Sequence, residues 1–154
     1  MSQTFQPTAA QIVDEIAAVV RPIAADADVQ DMGATAIPGL LTKGDVDVNV
    51  RVSAGDFVRV VDFLRLHFEI NQPDNWTDGF ASFADDTHYA LPVGVQVTVI
   101  DHPDDVFVGQ RDRLASQPDL IERYNELKAR YEGSEMEEYR TAKWAFIEAH
   151  LKPS

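Results

Sequence analysis

The clearest pattern in the chain is an alternation. Val46, Val48, Val50 and Val52 take every second position between Asp45, Asp47, Asn49 and Arg51, which predicts a strand with one apolar and one polar face. Upstream, Ile12, Ile16, Val19, Val20 and Ile23 recur at helical spacing. They predict a helix over 8–25, capped by Thr8, with Pro22 kinking or shortening its last turn. Residues 28–32 read as a short strand entering the loop Gly33-Ala34-Thr35. After the valine strand, Phe57, Val60, Val61, Leu64 and Phe68 share one side of a helix predicted over 54–67. Residues 79–84 and 89–100 read as strands joined around the polar tip Asp85-Asp86-Thr87-His88. Pro92 and Gly94 predict an irregular start to the second of these.

Beyond Pro103 the chain is helical in character. Leu120, Tyr124, Leu127 and Tyr131 form one stripe, which Gly133 would end. Ser134 with Glu137 makes a capping box for a last helix carrying Tyr139, Lys143, Phe146, Ile147 and His150 along one face. The order predicts an α+β chain with a mixed sheet flanked by helices. It forms a single domain over 1–154, with a sheet core at 1–102 and C-terminal helices at 103–154.

Composition narrows the function. Net charge is −13 over 154 residues, which disfavours binding to nucleic-acid phosphates or to an anionic membrane surface. The chain has no cysteine, so thiolate metal sites and a cysteine nucleophile are excluded. No basic, apolar leader opens the sequence and no apolar run is long enough to span a bilayer, so a soluble, cytoplasmic domain is expected. The acidity is uneven: residues 33–52 are balanced and the last sixteen residues carry +2.

That balanced segment carries the candidate chemistry. A glycine where a strand ends, Gly33, lets backbone amides approach a phosphate, and Thr35 can donate a hydroxyl to it. Pro38-Gly39 marks a tight turn back to the sheet. Asp45 and Asp47 then fall on one sheet face, roughly 6–7 Å apart. Paired carboxylates beside a phosphate-binding turn suit Mg²⁺, which takes one or two protein carboxylates and completes its shell with water and substrate phosphates. The plain alternative is a solvated strand face, since acid-x-acid is common there by chance.

The stretch GATAIPGLLTKGDVDVNV resembles the motif of the GrpB-like family of the nucleotidyltransferase superfamily. Gly33, Thr35, Pro38, Gly39, Leu40, Lys43 and Asp47 match position by position, with Ala34 in place of the usual serine. Arg111-Asp112, Tyr124 with Leu127-Lys128, and Tyr139 with Lys143, Phe146 and Ile147 resemble that family's C-terminal helices. The resemblance implies a nucleotidyltransferase-like fold and Mg²⁺-dependent transfer of a nucleotidyl group from a nucleoside triphosphate to a small acceptor. In that reading Gly33, Ala34, Thr35, Lys43, Arg111, Lys128 and Lys143 hold phosphate. Asp45 and Asp47 hold metal, and Asp101 completes the metal site or acts as base. Two departures stand out. The family's His-x-His pair has no counterpart on the strand Val95–Ile100. Asp101 also shares its parity with Val95, Val97 and Val99, so it reaches the site only if a bulge or strand end re-aims it. These departures leave open a non-catalytic ligand-binding or interaction module on the same fold. A polynucleotide-modifying enzyme is opposed by the charge.

The remaining polar residues have plainer readings. His67 suits a helix C-terminus, His88 a solvated hairpin tip, and His102 borders the strand that leads to Asp101. No HExxH or GxxxxGK[ST] occurs, which argues against a zinc hydrolase and a P-loop NTPase.

Overall fold

The computed structural model describes residues 2–33, 36, 37, 45–131 and 136–150. Along the chain run α1 (Ser2–Val20), β1 (Asp28–Asp31), β2 (Val46–Val52), α2 (Ala54–Leu64) and β3 (Glu69–Ile70). They are followed by β4 (Phe80–Asp85), β5 (Val93–Val99), α3 (Phe107–Ala115), α4 (Pro118–Arg130) and α5 (Met136–His150). The five strands form one sheet in the order β1-β2-β5-β4-β3. Only β2 and β5 run parallel, aligned from Val46 opposite Val93 to Val52 opposite Val99; the other pairs are antiparallel. The parallel pair sets the starts of both central strands at one end of the sheet.

The period-two pattern of β2 decides which face is covered by α1 and α2. Val46, Val48, Val50 and Val52 are buried in the main core with Ile12, Ile16 and Val20 of α1 and Phe57, Val60 and Leu64 of α2. Asp47, Asn49 and Arg51 of β2 therefore share the opposite face with their register partners Gly94, Gln96 and Thr98 of β5. A second, smaller core joins Ile37 to Leu114, Leu120 and Tyr124, with Phe146 and Ile147 packed against it. It gathers α3, α4 and α5, and Arg111 of α3 donates to the Asp31 carbonyl at 3.0 Å, fastening them to the end of β1.

Several expected boundaries move. The first helix starts at Ser2, so Thr8 lies inside it and caps nothing; Pro7 is taken up near its start. Pro22 falls in the turn after Val20, where the amides of Ile23 and Ala24 both donate to the Val20 carbonyl. The second helix stops at Leu64, and His67 closes the following turn on the Leu64 carbonyl. Edge strand β3 and the 3-10 turn Pro73–Asn75 carry no hydrophobic periodicity, which is why the sequence does not announce them. The stop at Gly133 and the capping box at Ser134 lie outside the described residues. No helix among the described residues is long and apolar enough to cross a membrane.

Candidate functional site

Asp47 is the centre of the polar face. Its carboxylate sits in a slot between two glycines from different elements. A Cβ on Gly33 would lie 2.9 Å from Asp47 Oδ2 and 3.0 Å from Asp47 Cβ, and one on Gly94 would lie 2.9 Å from Oδ1. Gly94 faces Asp47 because the two are register partners. This accounts for the glycine at the start of β5 better than a bulge does. Gly33 was expected to bring its amide to a phosphate. Instead its N–H donates to Asp31 Oδ1 at 3.1 Å, and its missing side chain is what admits the Asp47 carboxylate.

This close approach predicts unequal costs for two alanine substitutions. At Gly94 the new methyl meets the free end of a side chain, which can swing away. At Gly33 it also meets the Asp47 Cβ, which is fixed by the strand. Gly33→Ala should therefore lose about 1–2 kcal/mol of stability, the usual penalty for overpacking, and Gly94→Ala clearly less. Urea unfolding midpoints measure the difference, and a Gly33→Ala protein as stable as wild type would refute the crowding.

The C-terminal helices bring the charges that surround Asp47. Burial pushes its carboxyl from 3.8 up to about 6, and the exposed Asp45 adds to the rise; Lys143 opposes it, Asp31 adds to it and Lys128 opposes it. Two ammonium groups, from α4 and α5, thus act on Asp47. Lys128 is also held over the Tyr124 ring, 4.9 Å from its centroid. Tyr124 and Tyr139 share a hydrogen bond between their side chains, and burial pushes each phenol up to about 12. The edge-on contact of Phe146 with Tyr124, at 5.3 Å between centroids, packs α5 against α4 behind them.

The expected site residues divide into four groups. Asp45, Lys128 and Lys143 are near enough for their charges to act on Asp47. Gly33 adjoins them by shape, and Arg111 stands at the rim, where its guanidinium is engaged by the Asp31 carbonyl and the Asp112 carboxylate. Ala34, Thr35 and Lys43, with Pro38, Gly39 and Leu40, lie outside the described residues.

Asp101 does not join them. The parallel register puts Gly94 beside Asp47 and Asp101 beyond the other end of β5, roughly 20 Å away at about 3.3 Å per residue. It is exposed, takes the left-handed region at φ 68°, and donates its N–H to Asp105 Oδ2 at 3.0 Å. Its role as third metal ligand or base is therefore withdrawn. His102 also belongs to that distant turn, with Nε2 2.9 Å from Asp78 Oδ1. A Cβ on Gly79 would strike its ring. His88 serves the tip of the β4–β5 connection, its Nδ1 2.8 Å from Asp85 Oδ2.

The donor set fits a hard cation only in part. Among the described residues no group of three or more His, Cys, Asp or Glu side chains could hold a metal. Asp45 and Asp47 alone provide oxygens whose mutual repulsion a divalent cation would offset. That suits Mg²⁺ arriving with phosphates, which needs few protein ligands, and does not suit a metal held by protein alone.

Residues missed by sequence reasoning lie on the same face. Asn49 is fully buried and Thr98 likewise, although both occupy positions where a half-exposed strand would show polar groups to water. Asp105 was also missed. Its carboxylate takes two hydrogen bonds from Arg51, at 2.9 and 2.7 Å, and one from Thr98 at 3.1 Å.

Comparison with known proteins is consistent across three approaches. The family model described as GrpB protein matches residues 1–153. A UPF0157 protein of Vibrio cholerae is 35% identical over 127 residues, covering 82% of this chain and 66% of that protein. The chain thus spans slightly less than two thirds of that relative's length. The crystal structure of the conserved protein GrpB from Enterococcus faecalis superimposes with a TM-score of 0.71 at 21% identity, covering 93% of this chain and 90% of that one. At that identity the likeness shows the fold.

Proposed function

This chain belongs to the GrpB family, and from that premise we propose that it binds a nucleoside triphosphate with Mg²⁺ and transfers the nucleotidyl group to a small acceptor. The observation that carries the reading is that the charges of Asp45, Lys128 and Lys143 all bear on the buried Asp47 carboxyl near the start of β2. A paired-acid, paired-lysine site is the charge arrangement that a metal-chelated polyphosphate complements. Asp45 and Asp47 would hold the ion, which when bound offsets phosphate charge and steadies the departing pyrophosphate. Lys128 and Lys143 supply counter-charge to phosphate oxygens from the opposite wall. The hydrogen-bonded phenols of Tyr124 and Tyr139 line that wall and keep water from its inner part. Gly33 and Gly94 leave the room that the Asp47 carboxylate occupies.

The displacement of Asp101 favours a second reading, in which the same site binds a nucleotide without transfer. Isothermal titration of ATP, GTP, CTP and UTP with Mg²⁺ tests both. Saturable, Mg²⁺-dependent binding is expected, at least about tenfold weaker in Asp45→Asn/Asp47→Asn. Binding that the double substitution leaves intact would refute the metal site, and no binding of any triphosphate would sink both readings. Pyrophosphate release in the presence of candidate acceptors then separates transfer from binding alone.

A further inference from the structure

A cavity of about 910 Å³ opens on the helix-covered side of the sheet, between the end of α1, the end of α2 and the β4–β5 connection. The sheet separates it from the acid pair. Asp85 of β4 stands opposite Val93 of β5, and Val93 opposite Val46 of β2, so all three side chains lie on the face that α1 and α2 cover. Asp47 lies on the other. The volume falls in the range of small-molecule sites, roughly 300–1,000 Å³. Leu66 stands at the rim, 80% exposed.

The lining combines rings with one carboxylate. Phe63, His67, Phe68, His88 and Tyr89 all border the cavity, and Val19 and Ile23 add an apolar wall. Phe68 and Tyr89 stack at 6.0 Å, and Phe63 meets His67 at 4.5 Å between centroids. Asp85 is the polar exception on a strand face whose Ala81 and Phe83 belong to the main core. Its Oδ1 accepts the amides of Thr87 and His88 at 2.9 and 2.8 Å, and its Oδ2 accepts His88 Nδ1 at 2.8 Å. Burial alone would push this carboxyl up; the hydrogen bonds from His88 and Thr87 outweigh it and hold the group below the usual carboxylate range, so it is anionic at neutral pH. A carboxylate oxygen can accept two hydrogens, and Oδ2 keeps room for one more.

Ring faces beside an anion suit a cation. Among the described residues no lysine or arginine lines the cavity, and the charges that act on its Tyr89, Asp85 and Glu15, are both negative. An anionic ligand would be repelled there, and a neutral one gains nothing from the charge. Aromatic faces attract a cation through their quadrupole, and a carboxylate accepts its N–H in a charge-assisted hydrogen bond. The apolar wall calls for an organic body rather than a bare ion. We propose that this cavity binds a small organic amine, its ammonium group at Asp85 and its aromatic or alkyl body against Val19 and Ile23. The site is separate from the one at Asp47, and the inference does not rest on the transferase reading.

Three probes share one indole body and differ in the head group: tryptamine carries an ammonium, tryptophol a hydroxyl and indole-3-propionate a carboxylate. Calorimetric titration of the wild type at pH 8 should rank them in that order, with tryptamine ahead of tryptophol by about tenfold. Asp85→Ala would also cut the turn at Thr87 and His88 and can unfold the chain, so Leu66→Lys carries the test. It sets a competing ammonium at the rim, on a position exposed enough for the fold to tolerate it. Leu66→Lys should weaken tryptamine by about fivefold, leave tryptophol unchanged and melt as wild type does. Asp45→Asn/Asp47→Asn should bind tryptamine like wild type, because those acids lie across the sheet. No saturable binding of tryptamine would overturn the proposal, as would tryptophol bound equally tightly, or a preference that Leu66→Lys leaves intact. Tryptamine binding lost in the double substitution would place the amine at the acid pair and overturn it too.

Discussion

Replacing Asp47 with asparagine should stabilise the metal-free protein at neutral pH. Burial and the neighbouring Asp45 lift the Asp47 carboxyl from 3.8 to about 6. The folded state therefore holds this proton to a higher pH than the unfolded chain does. Between the two values the folded state binds more protons, so the contribution of Asp47 to stability falls as pH rises through that window, and the full cost is present above it. A shift of that size, already net of the favourable Lys143 and Lys128 charges, corresponds to about 3 kcal/mol. In a chain of this length that raises the melting temperature by about 6–12 °C. Scanning calorimetry of wild type and Asp47→Asn in chelator, from pH 4 to pH 8, measures the effect. The gap should be widest above pH 6 and close near pH 4; a variant that melts lower at pH 7.5 would refute the argument. Asparagine fits the slot between Gly33 and Gly94 but carries no charge, so the gain in stability should come with the loss of Mg²⁺-dependent triphosphate binding. Such an exchange is expected where an acid is held in place for a ligand.

The same carboxylate shows where the sequence is legible. The strict alternation of four valines identifies β2, its buried face and the parity of Asp45 and Asp47, because one-sided burial leaves a period-two signature. The stripe on α5 likewise places Lys143 among residues that pack inward. What the alternation cannot show is the cover on the polar face. Asn49 reads as a solvated residue, yet it is fully buried and tied through Thr98 to Asp105, a partner far along the chain. Asp101 fails for a related reason. Its distance from Asp47 is set by how β2 and β5 align, and no local pattern encodes the register of two strands separated by α2, β3 and β4. Gly33 and Gly94 are conspicuous as glycines, but the reason for them is a carboxylate contributed by another strand.

Asp105 governs the far end of the polar face, and Asp105→Ala should be the most damaging single change outside the main core. Burial alone would push its carboxyl up; the two hydrogen bonds from Arg51, together with those from the Asp101 amide and Thr98, outweigh this and hold it below the usual carboxylate range. Its side chain is only 3% exposed, so the pair is buried on the acidic side. Alanine would leave the Arg51 guanidinium with Asp28 as its remaining partner and take the acceptor from Thr98. Breaking a buried pair from one side costs about 3–5 kcal/mol; the continuing Asp28 contact places this case near about 3 kcal/mol. A melting point lower by about 6–12 °C is expected. The pH dependence is opposite in sign to that of Asp47. A lowered folded pKa gives stability that is present above the unfolded carboxylate value and lost as pH falls through the folded one. The gap between wild type and Asp105→Ala should therefore be constant at neutral pH and shrink below about pH 4. Without Asp105, Thr98 can turn its hydroxyl toward Asn49, and the asparagine amide is free to reverse. An Asp105→Ala protein that melts as high as wild type at pH 7 would refute this account of the buried pair.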